Sequence, residues 1–277
     1  MPDIVIHNWM GKNVLNRLED EIASSIDYDI FRLAVMGPDS FIYYRFFAPL
    51  LRHNHNKRSS VMHSEHTGSY LVELAKRTRE YKSKELFSYL AGFLCHYSLD
   101  GKTHPTVNRL SGGDMHKHLA IERKLDQIVL QKQGKALMDR PITNELFPPF
   151  LPESLRDSIN EVMEEVYGWK DSWKLMKTSY RHMKWYHYIM EDPIGLFDNS
   201  VGRVVSKVKG LSYHSNLYEL ESYEWFWPIL EDSIDEAVGF IECSFSFVNE
   251  RMSENELTDC IGNRSYSTGE TLMATLG

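Results

Sequence analysis

The chain has 277 residues, and 42% of them are hydrophobic, which is enough to bury a substantial core and excludes a disordered chain. Its formal net charge of −8 at pH 7 disfavours a stable nucleic-acid partner, because nucleic-acid backbones carry charge of the same sign. No apolar run approaches the about 20 residues that a membrane-spanning helix requires, so we expect at most peripheral membrane contact.

The three cysteines, Cys95, Cys243 and Cys260, are widely spaced and include no Cys-x-x-Cys pair. This pattern indicates neither a disulfide framework nor a thiolate zinc site, and it favours a reducing compartment. The N-terminal residues also lack the basic start and the apolar stretch of a secretory signal. We therefore expect a cytoplasmic protein.

The first part of the chain predicts short helices separated by loops. Residues 13–26 have the apolar stripe of an amphipathic helix. Gly37 and Pro38 mark a loop, which places Asp39 at a helix N-cap or on a rigid turn. The polar residues 52–60 predict a second loop, and residues 69–81 predict a helix with His63 just before it.

Residues 83–99 have the strongest helix pattern, which Ser83 opens and Gly101 ends, with Pro105 beyond. Further helices are predicted within residues 115–133, 152–188 and 222–251. The sequence has no convincing strand pattern, internal repeat or low-complexity linker. We therefore expect an all-α fold, a single-domain multi-helix bundle over residues 1–252, followed by a loosely ordered tail over residues 253–277.

Two pairs of residues have the spacing of metal ligands. His96 and Asp100 are four residues apart, so on a helix their side chains lie on one face, about 5–6 Å apart at Cβ, and His118 and Glu122 repeat this spacing. Such a pair is common on solvated faces, but the apolar stretch before His96 predicts a buried turn whose polar groups need partners. Imidazole and carboxylate are ligands of zinc and related metals, and two pairs suggest two or more ions.

His104 joins this cluster on one condition. Gly101 ends the predicted helix, so His104 cannot lie on it. A tight return loop held by Pro105 has to bring His104 back to the end of the helix that carries His96. Two rival sites are excluded, since the sequence has neither the adjacent His-Asp pair of HD phosphohydrolases nor the His-Glu-x-x-His motif of metalloproteases.

The order of these residues resembles the zinc-dependent phospholipase C family of bacteria, a mostly helical fold with a trinuclear zinc site. The resemblance runs through Gly37-Pro-Asp-Ser-Phe41, Met62-His63, the His-x3-Asp-x3-His motif within residues 89–105, and the His-x3-Glu motif within residues 118–126. It implies ligand sets of Asp39, His63, His96 and Asp100 for one zinc, of His104, His118 and Glu122 for a second, and of His7 with a bridging Asp100 for a third. In secreted relatives an N-terminal Trp completes the third site, and only six residues precede His7 here, so two or three zinc ions are expected.

The resemblance also implies a phosphoric-diester hydrolase in which zinc activates water for attack on phosphorus, with Asp39 as the base. The expected substrate is a small phosphodiester or a phospholipid headgroup. Two alternatives stay open: a zinc-dependent nuclease or nucleotidase of the same fold, and a metal-binding regulatory protein that keeps the site for stability. Aromatic residues within 167–188 are interpreted as core, with a lipid-facing surface as the alternative, and His182 and His187 are expected to be non-ligands.

Overall fold

The structure, a computed structural model, describes residues 4–48, 55–134, 151–190 and 223–272. The described part is helical and contains no β-strand, which confirms the all-α expectation. Its α-helices are α1 (Ile4–Leu15), α2 (Asp20–Ser24), α3 (Tyr28–Ala34), α4 (Lys57–Ser64), α5 (Thr67–Tyr81), α6 (Lys84–Ser111), α7 (Met115–Lys132), α8 (Arg156–Tyr167), α9 (Ser172–Met190), α10 (Phe226–Val248) and α11 (Glu254–Ile261). Two 3₁₀ helices, Gly37–Tyr43 and Glu153–Leu155, precede α4 and α8.

Helix α6 is the central element of the fold. The Ser83 hydroxyl caps it by accepting a hydrogen bond from the Leu86 amide at 3.1 Å, as the sequence predicts. Helices α1, α3, α5, α7 and α10 all pack against α6. Every residue from Leu86 to Gly101 is buried, because neighbours surround the helix.

Helix α6 does not end at Gly101, and this prediction was wrong. The helix continues through Gly101 and Pro105 to Ser111, and Gly112 ends it with a left-handed backbone conformation. Gly101 is needed for close packing instead, since a Cβ there would lie 2.6 Å from Nε of Arg264. Packing on several sides therefore outweighs the weak local preference for a helix end.

Two earlier segments also differ from their predictions. The stripe over residues 13–26 belongs to α1 and α2, which a turn separates, because both helices bury their apolar residues in the same core. Residues 52–54 lie outside the described part, but residues 57–60 open α4 rather than continuing a loop. His63 consequently lies in the last turn of α4, and Asp39 lies within a 3₁₀ helix.

The remaining helix predictions are confirmed. Residues 69–81 lie in α5, residues 115–132 form α7, and residues 152–188 contain α8 and most of α9. The last long prediction, over residues 222–251, corresponds to α10. No helix in the described part is long and apolar enough to span a membrane.

The structure describes residues 253–272 of the segment that we expected to be loosely ordered, and part of it is helical. Ser253 and Glu256 form a capping box that starts α11, and Leu257 and Ile261 are buried. Residues 262–272 then return to α6, where Tyr266 is 1% exposed. Local composition cannot reveal this packing, because it depends on hydrogen bonds to other helices. The backbone carbonyls of Arg264 and Tyr266 accept hydrogen bonds from Thr67 of α5 and His104 of α6.

Cys243 of α10 and Cys260 of α11 form a disulfide, contrary to the expectation from cysteine spacing. Cys95 is a buried free thiol. An odd cysteine count does not exclude one bridge. The spacing in the sequence did not indicate this one, because the two bonded residues meet only after α10 and α11 pack together. The cysteine pattern therefore no longer supports a reducing compartment.

Candidate metal centre

The eight residues proposed from the sequence converge at one place in the fold. They come from five elements: His7 from α1, Asp39 from the first 3₁₀ helix, His63 from α4, His96, Asp100 and His104 from α6, and His118 and Glu122 from α7. All are buried except His118, which is partly buried. The continuation of α6 through Gly101 places His104 one turn after Asp100, so no return loop is needed.

A first group consists of His7, Asp39, His96 and Asp100, whose ligand atoms all lie within 4.8 Å of one another. Nε2 of His96 is 3.1 Å from Oδ2 of Asp100, and Nε2 of His7 is 3.5 Å from Oδ1 of the same carboxylate. The imidazole rings of His7 and His96 are stacked with centroids 4.5 Å apart. This group is close enough to hold a metal ion.

A second group consists of His104, His118 and Glu122. Oε1 of Glu122 is 2.8 Å from Nε2 of His118 and 3.3 Å from Nε2 of His104. Asp100 lies between the two groups, since its Oδ2 is also 3.7 Å from Nδ1 of His104. The two candidate ion positions are therefore adjacent.

His63 borders the first group. Its Nε2 is 3.2 Å from Oδ1 of Asp39 and 3.4 Å from Oδ2 of Asp100. The resemblance placed His63 with Asp39, His96 and Asp100 and set His7 apart, whereas the structure brings His7 into mutual reach of those three residues. Both histidines contact Asp100, which is the common member of the cluster.

Backbone carbonyls fix the orientation of three histidines. The Nδ1–H groups of His63, His96 and His104 donate to the carbonyl oxygens of Ser59 at 2.7 Å, Val35 at 3.2 Å and Tyr266 at 3.0 Å, respectively. Each Nδ1–H bond leaves Nε2 directed toward the cluster. This is the usual support for a histidine that binds a metal.

The donor atoms of the cluster fit zinc. Among the described residues, both carboxylate oxygens of Asp39 and of Asp100 are buried without a hydrogen-bond partner. The Nε2 atoms of His63, His96 and His104 are also buried without a hydrogen-bond partner. Buried polar atoms are costly unless they have partners, and nitrogen and oxygen donors of this kind are the ligands that zinc takes in proteins.

Burial keeps most of the histidines neutral. It lowers the pKa of His7 to about 3, with a further contribution from His96, and it lowers the pKa of His104 to about 4 and that of His118 to about 3. For His63, burial acts in the same direction, but Asp100 and Asp39 outweigh it and raise its pKa to about 10. Neutral imidazole is the form that binds a metal, so three of the ligand candidates are ready for it at neutral pH.

The carboxylates of Asp39 and Asp100 are ionised. Burial alone would raise the pKa of Asp100, but His96 and His104 outweigh it, so the pKa lies well below its usual value. For Asp39, His96 and His63 likewise outweigh burial and lower the pKa. The centre therefore combines neutral imidazoles at His7, His104 and His118 with the negative carboxylates of Asp39 and Asp100.

Two supporting residues were not identified from the sequence. The carboxylate of Asp126 accepts hydrogen bonds from the amides of Ile6 at 3.0 Å and Val5 at 3.4 Å, and so holds the first turn of the helix that carries His7. Asp126 follows Glu122 by four residues, which places both on one face of α7. This spacing could have indicated that Asp126 lies near the candidate ligands. Tyr266 had no comparable signal, because it lies far along the chain from every ligand candidate.

Gly37 also supports the centre. Its φ of +48° is unfavourable for other residues, and a Cβ there would lie 2.5 Å from Cγ of His96. The sequence shows a Gly-Pro loop signal but not this contact with the imidazole. Among the described residues, His182 and His187 lie outside both candidate ligand groups.

The fold and the site define a class: an all-α protein with a buried, zinc-type cluster of imidazoles and carboxylates. A sequence model of the family described as zinc-dependent phospholipase C matches residues 6–189, which is more than half of the 277-residue chain. The chain therefore belongs to the zinc-dependent phospholipase C family. No curated protein and no solved structure matches it. Family and cluster together support a metal-dependent, phospholipase-like hydrolase.

Proposed function

We propose that this protein is a zinc-dependent phospholipase C that cleaves the phosphodiester bond of a phospholipid. The observation that carries the proposal is the buried set of imidazole nitrogens and carboxylate oxygens that converge without hydrogen-bond partners in a protein of this family. A core histidine with a purely structural role would have both ring nitrogens satisfied. Here Nδ1 is bonded and Nε2 is left for a ligand in His63, His96 and His104.

The proposed sites are two or three zinc ions. The first would be held by Asp39, His96 and Asp100 with His63 or His7, and the second by His104, His118 and Glu122. His7 is the candidate for a third ion that shares Asp100. The contact of Asp100 with His7, His63, His96 and His104 supports its role as the bridging ligand.

Zinc bound in this way would supply positive charge that stabilises the phosphate and makes a nearby water more acidic. The protein then has to position the phosphodiester and accept a proton. Asp39 is the proposed base, since its lowered pKa keeps it ionised and its buried carboxylate lies within the cluster, 3.2 Å from Nε2 of His63. The burial of the cluster excludes bulk water from the reacting groups.

Metal analysis combined with a soluble substrate tests this function. We expect zinc to co-purify with the protein, and hydrolysis of bis(p-nitrophenyl) phosphate to stop on chelation and return with added zinc. The Asp39→Asn variant removes a carboxylate that is proposed both as a ligand and as the base, so it should lose most of the turnover, by about 10²-fold or more. Its zinc content is measured beside the turnover. Asp232→Asn, which changes an exposed carboxylate on α10, is the matched control.

Other outcomes would identify the alternatives. Bound metal without turnover, together with unfolding on chelation, would indicate a structural metal site. Turnover of single-stranded DNA with none of phospholipid would indicate a nuclease of the same fold. Full turnover in Asp39→Asn with full zinc content would show that Asp39 is not the base.

A further inference from the structure

Helix α9 presents an unusual outer face, formed by Arg181, Lys184, Trp185 and Tyr188. These residues follow helical spacing, so they lie along one side of α9. Trp185 is 60% exposed and Tyr188 is 45% exposed, and the ring of Phe47, 58% exposed, packs near this face against His182. Three of the six large exposed hydrophobic residues in the described part therefore belong to one surface.

The opposite face of α9 is fixed in the core. Trp173, Met176, Tyr180 and Met183 are all buried. The expectation that aromatic residues in this region pack inward therefore holds for Trp173 and Tyr180 but not for Trp185 and Tyr188. The exposed aromatic residues belong to a well-anchored helix.

The charge of α9 is opposite to that of the whole protein. The helix contains Lys174, Lys177, Arg181 and Lys184 and no carboxylate, in a chain whose net charge is −8. Lys177 forms an ion pair with Glu153, whereas Arg181 and Lys184 form none with any residue that the structure describes. Within this part of the chain, two cations without an acidic partner thus flank two exposed aromatic side chains.

This face is also connected to the metal centre. The segment that packs on α9 continues directly from the 3₁₀ helix that carries Asp39. The amide of Arg45 donates a hydrogen bond to Nδ1 of His182 at 2.9 Å, and the ring of Phe47 lies 5.1 Å from that of His182. Phe47 follows Asp39 by only eight positions in the sequence.

We propose that the outer face of α9, with Phe47, docks the protein on the anionic surface of a phospholipid bilayer. Tryptophan and tyrosine favour the headgroup region because their rings have an apolar body and a polar tip, and unpaired lysine and arginine are attracted to anionic lipids. Charge complementarity selects this occupant, since a basic face on an acidic protein matches an anionic surface. The inference rests on the proposed function, because a phospholipase has to reach lipid in a bilayer.

Vesicle sedimentation of the zinc-loaded protein tests the docking surface. Binding is compared at short times on vesicles of phosphatidylcholine alone and of phosphatidylcholine mixed with phosphatidylserine. The variants are Arg181→Glu with Lys184→Glu, and Trp185→Ala with Tyr188→Ala. The matched control is Tyr81→Ala with Lys82→Glu, which removes an exposed aromatic residue and a cation at the end of α5. Hydrolysis of bis(p-nitrophenyl) phosphate is measured in parallel.

We expect binding to vesicles that contain phosphatidylserine and weaker binding to phosphatidylcholine alone. Each cation removed should weaken binding about fivefold, the aromatic pair should weaken it further, and the control should bind as wild type does. Soluble turnover should not change in any of these variants. Absence of wild-type binding, or equal binding by the α9 variants, would overturn the docking proposal. If binding follows this pattern while soluble turnover is absent in wild type, the docking surface stands and the proposed activity fails.

Discussion

The Nδ1–H of His104 donates a hydrogen bond to the backbone carbonyl of Tyr266, which is 162 residues further along the chain, at 3.0 Å. The amide of Tyr266 in turn donates to the carbonyl of His63 at 2.8 Å, and the Tyr266 ring packs 5.3 Å from the His63 ring. The C-terminal segment therefore orients histidines from two helices. It supports the candidate metal centre from outside the ligand groups.

Gly269→Ala tests this support. Gly269 has a φ of +70°, and a Cβ would lie 2.6 Å from the carbonyl oxygen of Gly101 in α6, so the segment has to move away from His104. We expect zinc affinity to fall about 10–100-fold, as for other lost outer supports of a metal ligand. Competition with a chromogenic chelator measures the affinity.

Gly112→Ala is the matched control for this experiment. Gly112 also has a positive φ, +62°, but a Cβ added there would meet no atom within 4 Å. The substitution should cost only the backbone strain, about 1 kcal/mol, and keep zinc affinity. Equal zinc affinity in both variants would contradict the role assigned to the segment that contains Tyr266.

Asp126→Ala should weaken the binding of the zinc ion nearest His7. The change removes the carboxylate that accepts hydrogen bonds from the amides of Val5 and Ile6, so the first turn of α1 loses its cap at a cost of about 1 kcal/mol. Asp126→Asn keeps one acceptor oxygen, so it should retain much of the zinc binding that Asp126→Ala loses. Zinc content per chain and the thermal midpoint are the two readouts, and an unchanged zinc content in Asp126→Ala would show that α1 is held by other contacts.

The ion pair between Arg264 and Glu236 predicts a pH dependence of stability. Burial raises the pKa of Glu236, but hydrogen bonds from Arg264 outweigh it, so the pKa lies below its usual value of 4.5. A carboxylate with a lowered pKa stabilises the folded state above its usual pKa, and this contribution is lost as the pH falls through the folded-state pKa. The pair also fastens the C-terminal segment to α10.

We therefore expect Glu236→Gln to lower the free energy of unfolding by about 2 kcal/mol at neutral pH, with the difference from wild type shrinking in acid below pH 4.5. Glu231→Gln, an exposed position on the same helix, should change it by less than about 0.5 kcal/mol. Thermal midpoints across the pH range measure both variants. A difference that stays constant from neutral pH into acid would show that Glu236 ionisation does not contribute.

The disulfide between Cys243 and Cys260 should stabilise the protein. Its cysteines are 17 residues apart, and a loop of that size contributes about 3 kcal/mol by restricting the unfolded chain. We expect Cys243→Ser with Cys260→Ser to lower the thermal midpoint and to speed hydrogen exchange in α11. Cys95→Ser, which changes the buried free thiol, should not affect the response to a reductant. Equal midpoints with and without reductant in wild type would rule out this contribution.

The proximity of the candidate ligands within each helix was predictable, because residues four apart on a helix lie on the same face. His96 with Asp100, and His118 with Glu122, each occupy one face of a single helix, so the sequence alone brings each pair together. The prediction that His104 lies in the cluster agrees with its position in the structure, but the reason given for it was wrong. Gly101 and Pro105 disfavour a helix locally, but the packing of α6 against its neighbours maintains it.

The supports of the site were not predictable, because they depend on contacts between distant segments. The disulfide at Cys260 forms only when α11 packs against α10. The carbonyl of Tyr266 reaches His104 only when the residues after α11 return to α6. Nothing in the polar sequence after residue 252 specifies that path. The exposure of Trp185 likewise depends on which side of α9 the core covers.

The most direct measurement is product analysis after zinc-loaded protein is mixed with phosphatidylcholine. We expect diacylglycerol and phosphocholine to appear, and the Asp100→Asn variant to lose both zinc and product formation, because Asp100 contacts ligand candidates from both groups. Asp232→Asn should behave as wild type. Undiminished release of diacylglycerol by Asp100→Asn, or no release by fully zinc-loaded wild type, would contradict a phospholipase C centred on this cluster.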